Sequence, residues 1–140
     1  MPFTGNRWTN NKVVTWQEMM HTIEKTYAFT ALPGKPHDTA KAYQVPGHAG
    51  SFAVISTMSA PFCGGCNRTR LTADGKMKNC LFSKEETDLL TALRNGEPVV
   101  PLVQQSIWGK AKELGGQFNT DFEHLYANTI QNRSMITIGG

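Results

Sequence analysis

The sequence lacks the features that would place a protein in a membrane or outside the cell. None of its apolar runs approaches the roughly 20 residues that a helix needs to cross a bilayer. Residues 1–5 have neither the basic start nor the long apolar stretch of a secretory signal. The 140 residues include only three cysteines, and this odd number would leave one unpaired in a disulfide framework. We therefore expect a reducing, cytoplasmic location.

The sequence also has neither a large net charge nor a strongly basic segment. The net charge is +3, and no long run of lysine and arginine or basic stretch interleaved with aromatic residues occurs. This argues against a nucleic-acid surface. The sequence has no internal repeat and no segment of low complexity. With 39% hydrophobic and 18% charged residues, its composition is that of a folded globular domain.

Local patterns predict a mixture of helices and strands. A capping box at residues 15–18 precedes apolar positions at helical spacing, so residues 16–26 are predicted to be an amphipathic helix. The proline- and glycine-rich residues 32–50 predict a loop. Residues 51–58 are rich in β-forming side chains and predict a buried strand. Asp74-Gly75 lies between two β-capable segments, which predicts a hairpin.

Further helices are predicted in the second half of the chain. Residues 83–86 form a second capping box, which predicts a helix with Leu89, Leu90 and Leu93 inward and Gly96 as its end. Pro101 favours a second helix start, with Gly115 as the stop and one apolar face formed by Val103, Ile107, Ala111 and Leu114. A short helix is expected from Thr120, and the end of the chain is predicted to be extended and apolar. These elements form no complete barrel, so the fold class is α+β within a larger protein.

The three cysteines form the most specific pattern in the chain. Cys63-Gly64-Gly65-Cys66 is followed, after thirteen residues, by Cys80. A C-x-x-C loop presents two thiolates to one metal, and its glycines leave room for a bulky group. The predicted hairpin would bring Cys80 near Thr69 or Arg68, depending on the strand register.

Four interpretations of these cysteines stay open from the residues alone. A structural zinc site needs a fourth ligand, and no histidine lies at zinc-finger spacing; the candidates are His21, His37, His48 and His124. A second interpretation is a redox-active C-x-x-C pair, but such a pair normally lies at the start of a helix, and here a loop at Pro61 precedes it and a hairpin follows. Three buried, inert cysteines are also possible. A [4Fe–4S] cluster with three thiolate ligands would leave one iron open for substrate, and we favour this interpretation.

Two arginines follow the C-x-x-C loop. Arg68 and Arg70 alternate on a predicted strand and so share a face. Paired guanidinium groups offer forked donors that suit phosphate. Two solvated surface arginines are the simpler interpretation, but their position beside the cysteines favours an anion site.

Residues 62–76, continuing to Cys80-Leu81-Phe82, resemble the C-terminal cluster motif of a known family. This is the family of molybdenum cofactor biosynthesis protein A, the GTP 3′,8-cyclases, which are radical S-adenosylmethionine enzymes. Residues 1–8 resemble the segment that closes the family's barrel. Residues 132–135 and the final Gly139 and Gly140 resemble its tail.

The resemblance implies an α+β C-terminal part of an incomplete (β/α) barrel. The family converts GTP to (8S)-3′,8-cyclo-7,8-dihydroguanosine 5′-triphosphate, a lyase reaction that begins molybdenum cofactor biosynthesis. The implied roles of single residues fall into four groups. Cys63, Cys66 and Cys80 would bind a [4Fe–4S] cluster, Arg68, Thr69 and Arg70 would bind GTP, Met1 would line the S-adenosylmethionine site, and Gly139 and Gly140 would support catalysis from the tail.

The sequence departs from the family in one respect. It has no C-x3-C-x2-C motif for the cluster that cleaves S-adenosylmethionine. We therefore expect residues 1–140 to be a C-terminal region whose radical S-adenosylmethionine domain is absent, inactive alone, with a homodimer possible for the whole protein. The alternative is a non-enzymatic zinc or iron–sulfur module for binding or electron transfer.

Overall fold

The computed structural model describes residues 1–6, 8–117 and 129–138. The predicted helix at Thr120 and the terminal Gly139 and Gly140 lie outside the described residues. In the described part of the chain, one α-helix precedes two small antiparallel sheets and the other α-helices follow them, which agrees with the predicted α+β class. Within the described ranges, no helix combines the length and hydropathy required of a membrane span.

The first sheet is a three-stranded antiparallel sheet. Its strands are β1 (Thr30–Ala31), β2 (Ala40–Gln44) and β3 (Ser51–Ile55), in that order across the sheet. The rings of Phe29, Tyr43 and Phe52 pack together on one face, with centroids 5.3–5.7 Å apart. Such cross-strand aromatic contacts stabilise a sheet beyond what area burial provides.

Two sequence predictions for this region were wrong. Strand β2 lies inside the segment predicted to be a loop, because its pairing with β1 and β3 supplies the hydrogen bonds that local sequence does not. The strand predicted to be buried, β3, ends at Ile55 and alternates between exposed and half-buried residues, since only one face is covered.

The first helix, α1 (Trp16–Glu24), confirms the predicted amphipathic helix. The hydroxyl of Thr15 accepts a hydrogen bond from the N–H of Glu18, and the Glu18 carboxylate accepts one from the N–H of Thr15. This reciprocal capping box satisfies donors that the first turn would otherwise leave open. The N–H of Trp16 donates to the hydroxyl of Ser59 at 2.9 Å, which fixes the helix beside the segment that leads to the cysteines.

The second sheet contains the predicted hairpin. Strand β4 (Arg70–Leu71) pairs with β5 (Lys76–Lys78), and β5 pairs with β6 (Thr87–Asp88). Gly75 in the turn has φ +76°, a conformation that glycine adopts without strain. Arg70 lies opposite Lys78, so Cys80, two residues beyond Lys78, corresponds in register to Arg68, two residues before Arg70.

Helix α2 (Leu89–Arg94) begins later than predicted. Asp88 caps it by accepting a hydrogen bond from the N–H of Thr91. The expected capping box fails because the Ser83 hydroxyl instead donates to the carbonyls of Cys80 and Glu85. The predicted inward position of Leu93 was also wrong, because this side chain is exposed and Ala92 is buried.

The last two helices also differ from their predictions. Helix α3 (Val99–Trp108) ends at Gly109, so Ala111 and Leu114 do not belong to it. Residues 135–138 form one helical turn, α4 (Met135–Ile138), where an extended segment was expected. Ile138 is therefore buried while Ile136 is exposed, because alternate residues do not share a helix face.

The apolar core joins distant parts of the chain. Phe3 and Phe82 stack with their centroids 5.6 Å apart, and Met58, Leu114 and Ile138 complete the buried cluster. Each large side chain buried in this way contributes about 1.5–3 kcal/mol. The core thus holds the start of the chain, the hairpin exit and helix α4 together.

Arg133 provides a second link between the tail and the hairpin. Its guanidinium donates to Glu86 at 2.7 Å and to both carboxylate oxygens of Asp74 at 3.0 and 3.1 Å. These bonds keep the pKa values of both carboxylates below their usual range. Lys78, fully buried, lies 3.4 Å from Glu86 and donates to the carbonyl of Ser83, so its ammonium group is paired despite its burial.

Replacing Gly115 by alanine should destabilise the fold strongly. Gly115 has φ +67°, and a methyl group there would overlap the backbone of Phe82 and Ser83. The matched control is Gly96, with φ +75° and open space around it. Left-handed backbone costs about 1–2 kcal/mol in either variant, and overpacking adds about 1–3 kcal/mol at Gly115 alone. Urea unfolding should show Gly115→Ala to be the less stable variant, and equal stability would contradict the described packing.

Candidate iron–sulfur and anion site

The three cysteines lie around one cavity of about 640 Å³. All three are free and half-buried. The cavity lies between the two sheets, since Thr39, Ile55 and Thr57 line it together with residues of the hairpin. Its lining also includes Phe62, Leu71, Leu81 and Phe82. The hairpin therefore brings Cys80 to the same space as the C-x-x-C loop, although thirteen residues separate Cys66 from Cys80.

The C-x-x-C loop has a tight, fixed backbone. Cys63–Gly65 forms a single 3-10 turn, which closes with a 3.0 Å hydrogen bond from the N–H of Cys66 to the carbonyl of Cys63. Gly64 and Gly65 carry no side chains and are exposed, so the backbone around the sulfurs stays accessible. Cys63 and Cys80 pack against the apolar core. Contact with the core thus positions two of the three thiols.

Positive charge and backbone donors surround two of the sulfurs. The ammonium of Lys110 lies 3.6 Å from the sulfur of Cys66. The N–H of Leu114 donates to the sulfur of Cys63 at 3.4 Å. Burial alone would raise the pKa of the Cys66 thiol, but the N–H of Arg68 and the charge of Lys110 together lower it. A thiol with a lowered pKa is more readily a thiolate, the form that binds metal.

Leu114, whose N–H donates to the sulfur of Cys63, has an uncommon backbone conformation. Its φ is +48°, which a branched apolar residue rarely adopts. The side chain is fully buried in the core, and this burial offsets the backbone strain. Strained residues of this kind occur where surrounding structure fixes a functional geometry.

Arg68 and Arg70 both line the cavity, as does Thr69 between them. Arg68 is exposed; its guanidinium donates to the carbonyl of His37 at 2.6 Å and lies 5.6 Å from the centroid of the Phe62 ring. Arg70 is half-buried on strand β4. A cavity edged by two guanidinium groups favours an anion.

His37, one of the four histidines considered as a zinc ligand, instead supports the loop. Its Nδ1 contacts the carbonyl of Gly65, and its backbone has φ +71°. Over residues 1–6, 8–117 and 129–138, no three His, Cys, Asp or Glu side chains group around a point as one metal ion requires. A cluster spreads its thiolate ligands over several iron atoms. The three thiols, the cavity and the donors to sulfur fit such a group in donor type and in space.

Of the other predicted site residues, Met1 does not line this cavity, and Gly139 and Gly140 lie outside the described residues. Met1 is exposed. Its role in binding S-adenosylmethionine stays a prediction, as do the roles of Gly139 and Gly140. Sequence reasoning missed Lys110, Leu114 and the support from His37. No local signal identifies them, because each lies 28 or more residues from the loop residue that it contacts.

The family profile and the similar proteins all concern molybdenum cofactor synthesis. The sequence profile of the family described as Molybdenum Cofactor Synthesis C matches residues 1–115. Molybdenum cofactor biosynthesis protein 1 of Mus musculus is 38% identical over 143 residues, covering 99% of this chain and 21% of that protein. GTP 3′,8-cyclase, mitochondrial, of Arabidopsis thaliana is 37% identical over 144 residues, covering 100% and 35%. GTP 3′,8-cyclase of Alkaliphilus oremlandii is 34% identical over 137 residues, covering 97% and 40%.

The chain therefore spans between about a fifth and two fifths of the length of these relatives. The resemblance drawn from residues 62–82 is confirmed by these matches, which extend over nearly the whole chain.

The lowered pKa of Cys66 predicts its reactivity in the metal-free chain. With Cys63 and Cys80 replaced by serine, the rate of alkylation by iodoacetamide should reach half its maximum at a lower pH in the folded chain than in the unfolded chain. The reason is that the Arg68 N–H and the Lys110 charge favour the reactive thiolate. The same chain unfolded in urea is the control. Identical midpoints in both states would contradict this electrostatic environment.

Proposed function

This chain belongs to the Molybdenum Cofactor Synthesis C family, and from that membership we propose that it is the cluster- and GTP-binding part of a GTP 3′,8-cyclase. One observation carries the proposal. Three half-buried thiols and two arginines line the same cavity between the two sheets. Thiols suit iron and guanidinium groups suit phosphate, so one space offers both kinds of ligand.

The proposed cluster ligands are Cys63, Cys66 and Cys80. A [4Fe–4S] cluster held by three thiolates supplies one iron that is free to bind a substrate atom. The chain's own residues prepare the space for it. The core beneath Cys63 and Cys80 limits their movement, and the N–H of Leu114 and the ammonium of Lys110 face sulfur atoms whose negative charge they stabilise.

The proposed GTP contacts are Arg68, Thr69 and Arg70. Arginine forks donate two parallel hydrogen bonds to a phosphate, and the exposed Thr69 can contribute a hydroxyl. A volume of about 640 Å³ is within the range typical of small-molecule sites, roughly 300–1,000 Å³. The carbonyl of His37 and the ring of Phe62 hold Arg68 beside the cavity, which reduces the entropy lost on binding.

The complete reaction belongs to the whole protein. We assign residues 1–140 to its C-terminal region, with an N-terminal radical S-adenosylmethionine region that carries the second cluster. That region would complete the incomplete barrel and supply the radical chemistry, and Met1 would line its S-adenosylmethionine site. Gly139 and Gly140 would support catalysis from the tail, as the family resemblance implies. The inactivity of residues 1–140 alone in the lyase reaction stays a prediction, as do the cytoplasmic location, the homodimer and the absence of nucleic-acid binding.

Anaerobic reconstitution with iron and sulfide tests the metal assignment. The chain should bind about four irons and develop broad visible absorbance. Each single replacement of Cys63, Cys66 or Cys80 by serine should remove most of the bound iron, because the remaining two thiolates hold a cluster poorly. Uptake of one zinc and no iron would reject the cluster and favour a non-enzymatic zinc module. A cluster that forms but gives no GTP binding would favour an electron-transfer module.

Replacing Arg68 and Arg70 together by lysine should weaken GTP binding to the cluster-bearing chain by about tenfold or more. Lysine keeps the charge but loses the fork, and hydrogen bonds to charged groups contribute about 1.5–3 kcal/mol. Arg94→Lys is the matched control, because Arg94 lies in the last turn of α2 and does not line the cavity. Equilibrium binding of labelled GTP measures the effect. An unchanged dissociation constant in the double variant would rule out the arginines as phosphate ligands.

A further inference from the structure

Residues 110–114, which we call the strap, pass beside the C-x-x-C loop. The strap follows helix α3 directly, after Gly109 ends that helix. From one end Lys110 reaches Cys66, and from the other the N–H of Leu114 reaches Cys63. The strap therefore approaches both cysteines of the C-x-x-C loop, although it lies more than forty residues later in the chain.

Lys110 makes three contacts with the loop. Its ammonium donates to the carbonyl of Cys66 at 2.9 Å and to the carbonyl of Arg68 at 3.0 Å, and it lies 3.6 Å from the sulfur of Cys66. An ammonium group has three N–H donors, so these contacts account for its full donor capacity. The side chain is half-buried, which reduces screening of its charge by water.

The two carbonyls belong to the segment that links a proposed cluster ligand to a proposed phosphate ligand. Residues 67–69 lie outside the regular strands, and strand β4 begins only at Arg70. No ladder hydrogen bonds therefore hold this segment, whereas the Lys110 ammonium donates to two of its carbonyls. Lys110 reaches them from just beyond the end of helix α3, whose own position is fixed by a 2.8 Å bond from the Asn79 amide to the carbonyl of Ser106.

We propose that Lys110 is a positioning residue of this site. It orders the Cys66–Arg68 segment and places one positive charge beside the sulfur of Cys66. The first effect depends only on the described contacts, and the second rests on the proposed function. Reduction adds negative charge to a cluster, so a cation beside a ligand sulfur favours the reduced state.

Hydrogen exchange in the metal-free chain tests the ordering effect. Lys110→Met keeps most of the apolar stem but removes the donors, and the amides of residues 66–68 should then exchange at least tenfold faster. Lys112→Met is the matched control, because it removes an exposed lysine of the same strap with no described contact to the loop. Amides of strand β5 report global unfolding and should change in neither variant. Unchanged exchange at residues 66–68 in Lys110→Met would overturn the proposal.

The reduction potential of the reconstituted chain tests the charge effect. Lys110→Met should shift the reduction equilibrium about tenfold toward the oxidised form, equal to a potential about 59 mV lower for one electron. Lys110→Arg, which keeps the charge, should restore most of that difference, and Lys112→Met should leave the potential unchanged. Equal potentials in wild type and Lys110→Met would overturn the charge effect. Failure of the wild-type chain to take up iron would instead reject the proposed function, while hydrogen exchange still decides the ordering effect.

Discussion

The packing of Phe82 against Phe3, Leu114 and Ile138 is the contact on which the rest of the structure depends. Phe82 ends the segment that leaves the hairpin after Cys80, and the turn at Gly115 presses directly on its backbone. The cysteine site lies against this core, since Cys63, Cys80 and Leu81 contact it. Loss of that packing would therefore move two of the three thiols, because nothing covalent joins them.

The second constraint is charge. Around the hairpin, Arg133 bridges Asp74 and Glu86, and the buried Lys78 is balanced by Glu86 and by a backbone carbonyl. Around the cysteine loop, Lys110 and Arg68 direct their donors to backbone carbonyls. The fully buried Lys78 ammonium requires such partners, because an unpaired charge costs several kcal/mol in a low-dielectric interior. These contacts give the site a positive environment that suits thiolates and phosphate together.

Much of the local structure followed from the sequence where the responsible atoms are neighbours in the chain. The capping box at Thr15, the turn at Gly75 and the end of α2 before Gly96 were all predicted and are observed. Predictions failed where distant residues compete for the same groups. Ser83 and Glu86 matched a capping box, but Glu86 pairs with Lys78 and Arg133, and Ser83 bonds carbonyls nearby. Strand β2 was missed because its stability depends on partners on both sides.

The sequence by itself determined the donor chemistry of the site and its family, since Cys63, Cys66, Cys80, Arg68 and Arg70 are recognisable from type and spacing alone. It also determined the hairpin, because Asp74-Gly75 specifies a turn locally. Only the tertiary structure decided what surrounds those donors. Lys110, Leu114 and His37 reach the loop from 28 to 51 residues away. The physical reason is that spacing encodes contacts within one turn or hairpin, whereas the contacts of a folded chain depend on how separate elements pack.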